Sequence, residues 1–358
     1  MALIGLISDI HSNYAALEAV LAHAKQQQVE VYWCLGDVVG YGPQPARCLH
    51  KMLELKANGQ LPVWIMGNHD AAFLGLDRLA SKLFKKSALR AIELNQLHLD
   101  NNYKELKEEL SPEDYRLVQE WCKGEFKSLP REPKIIWQKP SNLEAVQRAE
   151  QPSDPLTVDS WPYVVVHGSP TGPLSAYLYP HAHFSQFLGM VAAYNLVKEE
   201  LKARVINPKL LPAFQLAVQK TTLVSGHTHW QYLGCLEPFT EEPHDRSDYS
   251  LAAQYCTVKI FDDASLTPPQ SFRPLDEFYG EPLPLGPGLS LINPGSVGQS
   301  RDGDTRPSYA ILDNVARTVR FYRVDDYDKE ITLRYMEKPT YPEDLIYLIR
   351  HGTVAPPQ

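Results

Sequence analysis

Six short segments of this chain share one grammar: an apolar, strand-like run that stops abruptly at Gly, Asp, Asn or His. They are Leu6-Ile7-Ser8-Asp9-Ile10-His11, Leu35-Gly36-Asp37, Met66-Gly67-Asn68-His69-Asp70, Val166-His167-Gly168, Ser225-Gly226-His227-Thr228-His229 and Asn293-Pro294-Gly295-Ser296. Asp, Asn and His at the ends of successive strands gather oxygen and nitrogen donors on one rim of a sheet. Asp9, His11, Asp37, Asn68, His167, His227 and His229 make seven donors, enough for two metal ions. Polar groups at buried strand ends are costly unless paired or metal-bound, and packing gives no reason for them to recur.

The donor set also fixes the charge. Asp9 and Asp37 bring two negative charges, while Asn68 and the four histidines are neutral as ligands. Two divalent cations would therefore leave a surplus of positive charge, and such a centre attracts an anion, phosphate first. Mixed carboxylate and imidazole donors favour manganese, iron or zinc over magnesium or calcium, with manganese preferred here. The lack of thiolates among them argues against a structural zinc site. Metals about 3.5–4 Å apart can share a water and bring its pKa towards neutrality, so the expected chemistry is in-line attack of a metal-bridging hydroxide on phosphorus. His69, beside Asn68, is the expected general acid for the leaving alkoxide or a stabiliser of the transition state, and Asp70 is placed to orient its ring.

These residues need a scaffold. After an apolar stretch at 3–7, Ala16, Leu17, Val20, Leu21 and Ala24 recur at helical spacing, with Ser12 or Asn13 available as the cap. Val31 to Leu35 and Val63 to Met66 read as the next strands, with Pro45 to Leu55 as the helix between them. This β-α-β-α-β opening predicts parallel pairing with right-handed crossovers. Ligands in such sheets bind beyond the carboxyl ends of the strands, where Asp9, Asp37 and Asn68 lie. From about Ala71 to Trp161 the spacing turns helical and charged, ending in a Pro-rich loose stretch, Pro130 to Pro155; this reads as a mostly helical insertion with a loose end, serving as lid or packing element. Tyr163 to Val166 resumes the sheet, followed by a helix from Phe184 to Ala203 and a strand from Thr221 to Val224. Beyond His229 the texture is β: Tyr232 to Leu236, Tyr249 to Phe261, Ser290 to Ile292, Tyr309 to Leu312 and Thr318 to Val324 suggest a second sheet packed on the first. Pro268 to Pro287 reads as an irregular loop, Tyr327 to Tyr335 and Pro342 to Arg350 as helices, and the tail 352–358 as disordered.

A chain of 358 residues, 44% hydrophobic and 22% charged, fits one large domain, 1–358, carrying an insertion at about 71–161. The net charge of -8 argues against gripping nucleic acid through a broad basic surface. No apolar run reaches the ~20 residues that span a bilayer. Met1 to Ile7 lacks the basic start of a signal peptide and runs straight into Asp9, so it reads as the first strand of the mature fold. Five cysteines form no CxxC pair and read as free thiols in a reducing compartment, the cytoplasm.

Taken in order, Asp9-x-His11, Gly36-Asp37, Gly67-Asn68-His69-Asp70, His167-Gly168 and Gly226-His227-Thr228-His229 resemble the motifs of the calcineurin-like metallophosphoesterases. The resemblance covers roughly residues 3–325 and implies an α/β fold: a four-layer αββα sandwich of two mixed sheets with a dimetal site between them. It implies that Asp9, His11 and His229 hold one metal, that Asn68, His167 and His227 hold the other, that Asp37 bridges, and that His69 is catalytic. Ser8 to Asn13, Gly36 to Pro43 and Asn293 to Gly298 look like the small bacterial phosphodiesterase and diadenosine-polyphosphate-hydrolase-like branch. The Ser/Thr protein phosphatases and symmetrically cleaving diadenosine tetraphosphatases keep a phosphate-gripping Arg after the bridging Asp; Gly40 and Tyr41 stand there instead. Arg301, shortly after the Asn293 turn, is the expected replacement cation.

The leading expectation is thus a dimetal phosphoesterase acting on a small phosphodiester, nucleotide or dinucleoside polyphosphate. A phosphomonoesterase or phosphoprotein phosphatase is the alternative within the class. A non-catalytic scaffold of the same fold is the alternative outside it, weakened because His69 and all seven donors are present. Asn13 is a candidate for contact with substrate phosphate, though helix capping accounts for it equally. Tyr177 and Tyr179 could stack on a base, with packing as the stronger reading. His181 and His183 follow no strand and read as packing residues.

Overall fold

The computed structural model describes residues 3–76, 84–99, 110–138, 161–204, 214, 217–236, 251–256, 272–337 and 341–353. Period-two alternation organises the opening. In β1 (Leu3–Ile7) and β2 (Val31–Cys34), Ile4, Leu6, Val31 and Trp33 face one way, and Ile7, Tyr32 and Cys34 the other. The two strands are parallel, Gly5 opposite Tyr32, and their crossover is α1 (Tyr14–Gln26), which buries Ala16, Leu17, Val20 and Ala24. Asn13 caps that helix, its side chain accepting from the Ala16 amide. Pro45 opens α2 (Pro45–Ala57), where its fixed φ suits the first turn, and leads to β3 (Val63–Trp64), parallel to β2.

The remaining strands are β4 (Lys134–Gln138), β5 (Trp161–Val166), β6 (Thr222–Ser225), β7 (Gln231–Leu236), β8 (Leu251–Cys256), β9 (Phe272–Pro274), β10 (Leu283–Pro284), β11 (Ser290–Pro294), β12 (Ser308–Asp313) and β13 (Thr318–Arg323). They complete two mixed sheets, β10-β13-β12-β1-β2-β3 and β4-β5-β6-β11-β7-β8-β9. A buried cluster containing Leu6, Trp33, Tyr163, Val224, Leu233 and Ile292 joins the sheets face to face. The outer face of the first sheet packs under α1 and α2, through residues such as Leu17, Leu49 and Tyr309. The outer face of the second packs under the long helix His183–Arg204, through Met190, Val197 and Leu223. Four layers result, as the sequence led us to expect.

The 71–161 stretch supplies α3 (Asn68–Phe73, which begins before it), α4 (Lys86–Leu99) and α5 (Pro112–Lys123). It is not wholly helical. Lys134–Gln138 is an edge strand antiparallel to β5, Ile136 opposite Tyr163. A five-residue edge strand framed by prolines carries too little alternation to separate it from a loop. Short pairings at β9 and β10 likewise interrupt the Pro268 to Pro287 region, although 268–271 lies outside the described residues. The helix His183–Arg204, here α6, is followed by α7 (Lys329–Met336) and α8 (Glu343–His351); α7 and α8 pack with α4 through Leu94, Met336 and Leu345. Residues 354–358 of the expected disordered tail lie outside the described residues. Among the described residues, no helix is long and apolar enough to cross a membrane.

Candidate metal centre

Both sheets send their strand ends to one point. The loops after β1, β2 and β3 deliver Asp9, His11, Asp37, Asn68 and His69; those after β5 and β6 deliver His167, His227 and His229. All eight side chains are buried. Their donor atoms form two groups that share one oxygen. Asp9 Oδ1 and His11 Nε2 lie 3.3 and 3.2 Å from His229 Nε2, and His11 Nε2 lies 3.8 Å from Asp37 Oδ2. His167 Nε2 lies 3.3 Å from the same Asp37 oxygen, 2.9 Å from Asn68 Oδ1 and 3.1 Å from His227 Nδ1.

The backbone aims each donor. Asp9 uses Oδ2 to accept from Ser8 Oγ and the His227 amide, leaving Oδ1 buried with no hydrogen bond. Asp37 uses Oδ1 to accept from the His69 amide at 2.8 Å, leaving Oδ2 for the centre. His11, His167 and His229 each turn Nδ1 to a carbonyl, those of Val39, Leu35 and Gln299. A carbonyl fixes the proton on Nδ1, so the neutral rings of His11 and His229 offer an Nε2 lone pair, and His167 would offer one once a metal displaces its second proton. Lone pairs of His11 and His229 facing each other at 3.2 Å repel unless a cation lies between them. An oxygen without a partner and nitrogens gathered lone pair to lone pair are what a divalent metal requires.

Placement at this density strains the chain. Of the eight non-glycine residues with positive φ among those described, five are Asp9, His11, Asp37, His227 and His229, and Ser12 is a sixth. Left-handed backbone in residues with a Cβ is uncommon and clusters at functional sites. Gly67 passes so close to Asp37 that a Cβ there would meet Asp37 Oδ1 at 2.0 Å.

Burial and charge set the protonation of the metal-free cluster. Burial drives His11, His227 and His229 well below the usual imidazole range and His69 to about 4. Burial also disfavours charge on His167, but the Asp37 carboxylate outweighs it and lifts that ring to about 9. Burial would raise Asp37, yet His167 and His69 hold it well below the usual carboxylate range. Asp9 rises to about 6, through burial and the charge of Asp37.

The other expected residues divide. The His69 ring joins the cluster, beside His11, Tyr41 and Phe84 at 4.8, 4.3 and 4.7 Å between centroids. Asp70 does not orient it. Its two oxygens accept from the amides of Asp37, Val38, Val39 and Gly67, and His69 Nδ1 has no hydrogen-bond partner. Asn13 does not reach the centre either: its amide binds the Gly298 carbonyl and the Tyr327 hydroxyl, and its oxygen accepts from Ala16 and Thr332. Capping and bracing consume every polar atom of that side chain. Arg301 is at the rim, lining with Tyr41, Tyr177, His69 and His227 a cavity of about 190 Å³ over the ligands. Its guanidinium lies 5.4 Å from the Tyr41 ring centroid.

Tyr177 and Tyr179 are stacked on each other at 5.1 Å, Tyr177 stacks on His227 at 3.9 Å, and Tyr177 stays 41% exposed at the cavity wall. The Asn293 turn braces the loops: Asn293 donates to the Gly226 carbonyl and Thr228 Oγ1, and Ser296 Oγ donates to the Asp9 carbonyl. Asn95, from α4, is fully buried against the loop after β2 and was not foreseen. Its one sequence signal is an amide in the apolar stripe Ala88, Ala91, Ile92, Leu94.

A sandwich of two sheets with buried carboxylate and imidazole donors at their joined edges defines a metal-binding hydrolase architecture, and the comparisons give its family. The pattern of the calcineurin-like phosphoesterases matches residues 2–231, and the chain belongs to that family. Among the described residues, Asp9, His11 and His229, then His11, Asp37 and His69, then Asp37, His167 and His227 bring ligand atoms close enough together to hold a metal ion. A crystal structure of a metallophosphoesterase from Sphaerobacter thermophilus is 27% identical with a TM-score of 0.53, over 98% of this chain and 99% of that one. An uncharacterised protein of Methanocaldococcus jannaschii is 33% identical over 115 residues, 28% of this chain and 45% of that protein. A symmetrical bis(5'-nucleosyl)-tetraphosphatase of Aeromonas salmonicida is 33% identical over 87 residues, 24% of this chain and 31% of that protein. The chain thus spans under half the length of the curated relatives it matches.

Proposed function

We propose that the protein uses two divalent ions, manganese by preference, to hydrolyse a small phosphodiester, nucleotide or dinucleoside polyphosphate. The observation that carries this reading is Asp37 Oδ2, a single oxygen with His11 Nε2 at 3.8 Å on one side and His167 Nε2 at 3.3 Å on the other. One ion would be held by Asp9, His11 and His229 and the other by Asn68, His167 and His227, with Asp37 between them. Bound ions of this kind lower the pKa of a shared water and neutralise charge on phosphoryl oxygens.

The chain's own residues do the rest. His69 is neutral at pH 7, its pKa held near 4 by burial, so it serves the leaving oxygen as a neutral N–H hydrogen-bond donor that stabilises the charge developing there and keeps its proton. Arg301, at the cavity wall and with Nε buried and unpartnered, draws the phosphate into place. Asp70 acts through the loop it holds, and Asn13 acts as a cap. The fragmentary likeness to a tetraphosphatase keeps dinucleoside polyphosphates among the candidate substrates. Five buried free thiols fit a reducing compartment, the cytoplasm.

Protein loaded with manganese should cleave bis-p-nitrophenyl phosphate, and a panel of nucleotides, cyclic nucleotides and dinucleoside polyphosphates should then rank the natural ester. No turnover of any ester with any divalent ion would end this reading; a strong preference for phosphopeptides would move it to the phosphatases.

A further inference from the structure

Ser12, Gly40 and Gly42 lie on the two loops that carry His11 and Asp37, and one side chain from outside both loops ties them together. Asn95, on α4, accepts through Oδ1 from Ser12 Oγ at 2.6 Å and from the Gly40 amide at 2.8 Å. Its Nδ2 donates to the Gly42 carbonyl at 2.9 Å. The Gly42 amide in turn donates to the His11 carbonyl at 2.8 Å. Asn95 has no exposure to solvent.

The loop it holds takes strained backbone at this point. Gly40 has φ +128°, a conformation that side chains with a Cβ rarely adopt, and Ser12 has φ 54°. A Cβ on Gly40 would lie 2.7 Å from His69 Nδ1 and 2.8 Å from His11 Nδ1. The backbone at residue 40 is therefore the floor on which these two rings rest. Only a short primary amide can accept twice and donate once at this point. Aspartate would set an oxygen against the Gly42 carbonyl, and leucine would take the partner from Ser12 Oγ and the Gly40 amide, leaving the Gly42 carbonyl to the Tyr341 hydroxyl alone.

We infer that Asn95 is a positioning residue of the centre: through Gly40 and Gly42 it fixes the rings of His11 and His69, which makes α4 of the 71–161 insertion part of the site rather than a lid over it. The inference rests on the dimetal reading for its metal readout alone. Three proteins decide it: Asn95→Leu, the isosteric Asn95→Asp, and Leu94→Ala, which thins the neighbouring contact of α4 with α7 and α8. Each is checked for folding by circular dichroism, titrated with Mn²⁺ by calorimetry, and observed by NMR of ¹⁵N-labelled histidine rings without metal. Asn95→Leu should bind Mn²⁺ about 10–100-fold more weakly and shift the His11 and His69 ring signals while sparing His23. Should it fail to fold, Asn95→Asp, which keeps the shape, should show the same two changes. Leu94→Ala, at a comparable loss of melting temperature, should show neither. Unchanged Mn²⁺ affinity and ring signals in a folded Asn95 variant, or equal changes in Leu94→Ala, would overturn the inference. Wild-type protein that binds no Mn²⁺ would instead remove the dimetal reading, and the ring signals would still decide the role of Asn95.

Discussion

At the scale of residues, one set of side chains is proposed to hold metal and another to serve the ester. His69 sits in the cluster but its backbone amide, not its ring, is what Asp37 engages. Removing the ring keeps that hydrogen bond. We expect His69→Ala to keep its metal content by elemental analysis while turnover of the generic diester falls about 10²–10³-fold, the range for loss of one donor to a developing oxyanion; full activity in that variant would refute the role. Asp37→Asn should behave in the opposite sense. It replaces the shared charged oxygen by a neutral amide beside His167, so metal is lost on dialysis together with activity, and retention of both ions after dialysis would count against bridging. The donors themselves were legible in the sequence because each ends an apolar run. Asp70 was legible as a site residue but not in its duty: its place beside His69 suggests a partner for the ring, and only the folded loop reveals four amides converging on it.

At the scale of elements, that loop is the unit that matters. The turn after β2 leaves its amides at 37, 38 and 39 without strand partners, and Asp70, in the first turn of α3, collects them together with the amide of Gly67. Both carboxylate oxygens are used twice over or shared, so asparagine is no substitute: its NH₂ would point at two N–H groups. Asp70→Asn should therefore destabilise nearly as much as Asp70→Ala, each by about 3 kcal/mol or more, read from urea unfolding of the metal-free protein. A loss under 1 kcal/mol in Asp70→Asn would mean that the loop is held elsewhere. Parallel β-α-β units were legible because period-two runs and helical spacing alternate cleanly from Leu3 to Met66. Lys134–Gln138 was not, since an edge strand needs only one good face and its neighbours are prolines. Asn95 was not, because one amide in an apolar helical stripe looks like an ordinary buried polar residue until its partners on another loop are known.

At the scale of the molecule, the site belongs to neither sheet. Asp9 accepts from the amide of His227, 218 positions away, and Ser296 and Gly298 close on the Asp9 carbonyl from the second sheet. The two-sheet architecture was readable from strand texture, but the bracing of one sheet's loop by the other's turn was not, because long-range hydrogen bonds leave no local period. This convergence ties stability to acid. In the metal-free protein, His11, His69, His227 and His229 are neutral when folded and take up protons when unfolded, so acidification below the ordinary imidazole value of 6.5 favours the unfolded chain. Asp9 and Asp70, raised to about 6 and about 7 by burial and the charge of Asp37, work in the other direction: folded, they bind protons that the unfolded chain releases, and their contribution fades as pH rises through those values. His167, raised to about 9, stays charged throughout this window when folded; its contribution is full below 6.5 and is lost as pH rises from there to about 9. Four imidazoles against two carboxyls leave the unfolded chain binding more protons near pH 5, while near pH 7 His167, Asp70 and Asp9 offset the imidazoles, so the melting temperature in EDTA should change little near pH 7 and fall as the pH drops below 6.5 towards 5. Manganese should raise it at pH 7 and much less at pH 5, since protons and metal compete for the same lone pairs. A melting temperature that rises on acidification, or a manganese effect independent of pH, would show that these donors are not the ones that meet the ions.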